Sequence, residues 1–62
     1  MSGEESYIKA IKGGMISIKN GEKSPKDANV GSNLNRLKAV NPGMYDDYLK
    51  EYKEVLKEYN SK

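Results

Sequence analysis

In the C-terminal part of the chain, Tyr45, Tyr48, Leu49, Tyr52, Val55, Leu56 and Tyr59 recur at spacings of three and four, with charged residues filling the gaps. At about 100° per residue these positions fall within an arc of roughly 120°, the width of a core-facing helical stripe. Asn41-Pro42 marks the start: an N-cap side chain, then a proline at the first helical position, where its missing N–H is an orphan in any case. Asp46 and Asp47 lie near the positive end of the macrodipole and Lys57 near the negative end. The pattern predicts a long amphipathic helix over about 42–59. Its stripe has flanks of opposite sign, Asp47, Glu51, Glu54 and Glu58 on one side and Lys50, Lys53 and Lys57 on the other.

Upstream, Ser32 can cap a shorter helix over about 33–40 that places Leu34, Leu37 and Val40 on one face. Pro42 disfavours helical geometry at Asn41, so this helix stops near Val40 and meets the next at a very short, helix-turn-helix-like corner. Ser24-Pro25-Lys26-Asp27 supplies a cap, a proline at N1 and an acid at N3, and Gly31 is available as a stop. A single helical turn is expected over about 25–30. Residues 20–24, which open Asn20-Gly21-Glu22-Lys23, have turn chemistry and no apolar content, and read as loop.

The N-terminal segment supports two readings. Ser2 and Glu5 form a capping box, and Ile8, Ile11, Met15 and Ile18 recur at helical spacing. Against this, Gly13-Gly14 interrupts the run at about 1 kcal/mol per glycine relative to alanine, and such a pair between apolar segments also signals a two-residue hairpin. Met15-Ile16-Ser17-Ile18-Lys19 has the β-branched content of a strand. The preferred reading is a helix over about 4–12, with residues 13–19 either resuming as helix or running extended. The expected fold is all-α or mainly α, a small three-helix mini-domain with a long amphipathic C-terminal helix. The alternative is an N-terminal β-hairpin packed on the C-terminal helices.

Size changes the picture next. A chain of 62 residues is one domain at most, taken as 1–62, and a domain this small buries only about 60% of the surface its unfolded chain exposes. Disulfides and metal sites are the usual remedies for a thin core, and the chain has neither Cys nor His. That leaves self-association or a partner. The polar start Ser2-Gly3-Glu4-Glu5 has no apolar h-region, so neither a signal peptide nor a membrane span is expected, and the chain reads as cytoplasmic.

The same absences narrow the chemistry. Without imidazole or thiol, triad catalysis, thiol nucleophiles and ordinary zinc sites are excluded, and no hydroxyl has a base to activate it. Asp46-Asp47 is best read as a charged first turn. Gly21-Glu22-Lys23-Ser24 resembles the end of a phosphate loop, but Glu22 separates the glycine from the lysine and would repel the phosphate. The expectation is a protein without catalytic activity, cofactor or metal.

Two surfaces remain. Four of the five tyrosines stand on the C-terminal helix, and the chain has no Phe or Trp. Tyrosine packs through its ring and keeps a polar tip, which suits an interface margin better than a sealed core. Tyr45, Tyr48, Tyr52, Leu56 and Tyr59 are the candidate partner-binding residues, although the same rings could simply cover a small core. The partner is a larger protein or a second copy of the chain, with regulation or inhibition as the expected mode of action. The alternative rests on charge. The net charge is only +2, but Lys9 to Lys38 holds seven basic residues against two acids. Lys23, Lys26, Asn33, Arg36 and Lys38 are the candidate nucleic-acid contacts of a small DNA-binding regulator. A single arginine is few for a sequence reader.

Overall fold

The computed structural model describes residues 3–61 and contains four helices: α1 (Gly3–Lys19), α2 (Pro25–Ala28), α3 (Val30–Val40) and α4 (Pro42–Asn60). The all-α expectation holds. No strand forms among the described residues, so the N-terminal β-hairpin alternative is corrected.

α1 runs without a break through Gly13-Gly14, and burial supplies the reason. Ile11, Met15 and Ile18 are 0–3% exposed on its inner face, each worth about 1.5–3 kcal/mol when fully buried. That outweighs about 1 kcal/mol for each glycine in a helix. A strand would have set Ile16 and Ile18 on one face; the helix separates them, with Ile18 buried and Ile16 57% exposed. Glu4 and Glu5 occupy the first turn and Lys19 the last, each favourable to the helix dipole. The proposed cap at Ser2 lies outside the described residues.

At its C-terminus α1 closes in a left-handed turn. Gly21 sits at φ 75°, its N–H donates to the Ile18 carbonyl at 3.1 Å, and the Glu22 N–H donates to the Ser17 carbonyl at 2.9 Å. These paired bonds satisfy carbonyls that the end of a helix leaves open. Ser24 then caps α2, its hydroxyl accepting from the Asp27 N–H at 3.3 Å, with Pro25 opening the helix.

The joint between α2 and α3 differs from expectation. The left-handed residue is Asn29 (φ 57°, ψ 31°), and Gly31 and Ser32 lie inside α3. Asparagine tolerates this conformation, and here the Asn29 carbonyl accepts a hydrogen bond from Asn33 Nδ2 at 3.0 Å. Starting the helix at Val30 buries that side chain completely, on the same face as Leu34 and Leu37. Ser32 is therefore an exposed helical residue and not the cap, and Val40, expected on the inner face, is 56% exposed at the helix end.

The core is one cluster: Ile11, Met15 and Ile18 from α1, Val30, Leu34 and Leu37 from α3, and Val55 from α4. Gly14 permits the closest approach. A Cβ at this position would lie 2.5 Å from Val30 Cγ2 and 3.2 Å from the Ala28 carbonyl oxygen. Two anchors define the helix directions. Gly14 meets Val30, while Glu4 reaches Asn41 at the far end of α3, so α3 runs back along α1. α4 starts beside Glu4 and passes Lys12 to Lys19 at Glu51, so α1 and α4 run in the same sense.

Candidate protein-binding surface

Asn41 positions α4. As the single residue between the helices it adopts an extended conformation (φ −153°, ψ 82°), and its Oδ1 accepts from the Met44 N–H at 3.2 Å. Its own N–H donates to the Leu37 carbonyl at 2.7 Å and its carbonyl accepts from the Tyr45 N–H at 3.0 Å. Its Nδ2 donates to Glu4 Oε1 at 2.6 Å. The corner is thus bonded to both helices that meet there and to the first turn of α1.

From this corner α4 extends for 19 residues, whereas α3 has 11. At 1.5 Å per residue the difference is about 12 Å, so the last turns of α4 project beyond what α3 can cover. Burial follows that geometry only in part, because α1 also packs on α4 and Val55, past the reach of α3, is still 2% exposed. Tyr45, Tyr48, Leu49 and Tyr52 are half-buried and pack on the core, and Val55 is the only buried residue of the helix. Leu56 is half-buried outside the core cluster, and Tyr59 is 38% exposed.

The five candidate tyrosine-face residues therefore divide. Tyr45, Tyr48 and Tyr52 are half-buried and packed on the core, while Leu56, half-buried, and Tyr59, exposed, lie outside the core cluster. The fifth tyrosine, Tyr7 on α1, is half-buried against the core. Among the described residues no polar or charged side chain is buried, and none leaves a buried polar atom without a partner.

The candidate nucleic-acid residues do not form one stripe. Lys23 is exposed in the turn, Lys26 on α2 and Arg36 on α3. Asn33 is half-buried, with its amide engaged by the Asn29 carbonyl. Arg36 and Lys38, two residues apart on a helix, emerge about 160° from one another. Lys38 stands on the flank toward α4, its Nζ 5.4 Å from the centre of the Tyr45 ring. At this range the ammonium is attracted by the ring face.

Two features of the surface leave little trace in the sequence. The Glu4–Asn41 bond joins residues 37 apart and leaves no local pattern. Ile16 has the β-branched side chain of a strand residue, but on a helical wheel it falls outside the Ile11-Met15-Ile18 seam. It borders a shallow groove of about 210 Å³ between α1 and α4, lined by Lys12, Met15, Ile16, Lys19 and Glu51. No cluster of three or more acidic side chains suited to a metal ion occurs among the described residues, and no helix there is long and apolar enough to cross a membrane.

Comparison with protein-family models, with curated proteins and with solved structures finds no match to this chain.

Proposed function

We propose that this protein is a non-catalytic binding module that holds another protein against the tyrosine face of α4. The observation that carries the reading is the incomplete cover of the α4 stripe: of its seven apolar and aromatic positions only Val55 is buried, and Leu56 and Tyr59 lie outside the core. Rigid amphipathic rings held on a helix lose little conformational entropy on binding and are enriched at protein interfaces. The stripe's acidic and basic flanks would fix the orientation of a partner of matching charge. Tyr45, Tyr48 and Tyr52 would form the base of the surface, and Leu56 with Tyr59 its anchor.

A chain this small would act by occupying a surface of a larger protein, as a regulator or inhibitor. The absence of His and Cys, together with a core that shelters no titratable group, supports a non-catalytic role. The cytoplasm is the compartment this reading assigns.

The test is capture of partners from the native lysate by the tagged chain and by Tyr59→Ala, each with and without nuclease. A stoichiometric protein that survives nuclease and is lost about tenfold with Tyr59→Ala is expected, a loss typical of an aromatic anchor. Equal capture by the variant would refute the tyrosine face, and loss of every partner on nuclease treatment would favour the basic residues instead.

A further inference from the structure

We propose that the seam between α1 and α4 is a self-association surface, with a second copy of this chain as its occupant. Ile16, 57% exposed, is the most exposed large apolar side chain among the described residues. It lines the groove together with Lys12, Met15 and Lys19 of α1 and Glu51 of α4. On a helical wheel Lys9, Lys12, Ile16 and Lys19 share one flank of α1, which also carries Glu5 at its N-terminal end, beyond the level of the acidic residues of α4. Asp47, Glu51, Glu54 and Glu58 form the flank of α4 on the same side as Glu51. The seam thus places a basic strip beside an acidic one, with an isoleucine near its middle.

Register makes this surface complementary to itself. Glu4 is level with Asn41, and residues 12–19 are level with Glu51. Because α1 and α4 run in the same sense with the same rise per residue, these anchors set Lys9 level with residues 45–46, next to Asp47, and Lys19 level with residues 55–56, between Glu54 and Glu58. A two-fold axis parallel to the helices sets α1 of each copy over α4 of the other. Lys9, Lys12 and Lys19 then lie within about a helical turn of the level of the second copy's Asp47, Glu51 and the Glu54–Glu58 pair, within reach of a lysine side chain, in two symmetric sets. A two-fold axis across the helices would stack α1 on α1 and bring lysine against lysine, so charge selects the first arrangement. Ile16 is covered in the process.

This flank of α4 is about 120° or more from that of Tyr45 and Leu56, so the inference does not rest on the tyrosine reading. A dimer built this way would carry two tyrosine faces. The proposed contact is rich in charge around one exposed isoleucine, so the expected dimer is weak and salt-sensitive.

Sedimentation equilibrium of the full chain, from about 10 μM to about 1 mM, covers the range of a weak dimer. The expected result is an average mass rising from monomer toward dimer, with weaker association in about 0.5 M salt. Ile16→Glu should weaken the dimer about tenfold or more, and as an exposed helical position it should keep the circular dichroism and melting curve of the parent. Glu51→Lys should weaken it similarly, and Lys12→Glu with Glu51→Lys should restore it to within about threefold, since the pair is reversed in both copies. A chain still monomeric at the highest concentration overturns the proposal. So does a dimer indifferent to Ile16→Glu, or one that folded Tyr59→Ala abolishes while folded Ile16→Glu does not.

Discussion

Asn41 Nδ2 donates to Glu4 Oε1 at 2.6 Å, and the same asparagine caps α4 through Oδ1. One side chain thereby starts the C-terminal helix and ties it to the first turn of the N-terminal one. Asn41→Ala removes both functions and should lower stability by about 1–2 kcal/mol, the usual range for a lost N-cap together with a partly exposed hydrogen bond. Glu4→Ala removes only the tether and should cost about 0.5–1.5 kcal/mol. Urea unfolding of both variants and their double mutant checks this, with the pair expected to be less destabilised than the sum.

The adjacent glycines of α1 should respond in opposite directions. A Cβ at Gly14 meets Val30 Cγ2 at 2.5 Å and backbone at 3.2 Å, so Gly14→Ala must push α1 away from α3; a loss of about 1–3 kcal/mol is expected, as in an overpacked core. Gly13 is exposed, with nothing within 4 Å of its Cβ position. Gly13→Ala should therefore stabilise by about 0.5–1 kcal/mol through helix propensity and reduced unfolded-state entropy. Thermal melts of the two variants give the sign directly.

The tyrosines of α4 should separate by position. Tyr52 packs on the core, and Tyr52→Ala is expected to cost about 1–3 kcal/mol. Tyr59 lies outside it, and Tyr59→Ala should stay within about 0.5 kcal/mol. Denaturant midpoints measure both. A large effect at Tyr59 would mean that it belongs to the core and would weaken its use as a binding probe.

At the α2–α3 joint, Asn29→Gly should be close to neutral because glycine adopts a positive φ freely. Asn29→Ala should cost about 1 kcal/mol, from the left-handed backbone it would have to hold. Guanidinium unfolding of the two variants distinguishes this joint from an ordinary helix interior.

How much could be read in advance follows from the range of each interaction. The start of α4 at Pro42, the cap at Ser24 and the stripe of α4 are local features, and each rests on residues within about one or two turns of one another. The start of α3 was misplaced because Ser32 is a good capping residue in isolation, whereas the burial of Val30 against Gly14 rewards an earlier start. The candidate surfaces were legible as faces of single helices but not as exposures. Which side of a tyrosine remains open depends on how α1 and α3 together lie along α4.

The sequence by itself determined that the C-terminal part is helical, where the longest helix begins and which chemistries the residue types lack, since capping, periodicity and side-chain inventory are properties of neighbours along the chain. Only the tertiary structure decided between helix and hairpin at Gly13-Gly14, by burying Ile11, Met15 and Ile18 together and leaving Ile16 in solvent. It also brought Glu4 to Asn41 and the lysines of α1 beside Glu51. Burial and long-range contact depend on what lies across the core, and no spacing along one strand of sequence encodes that.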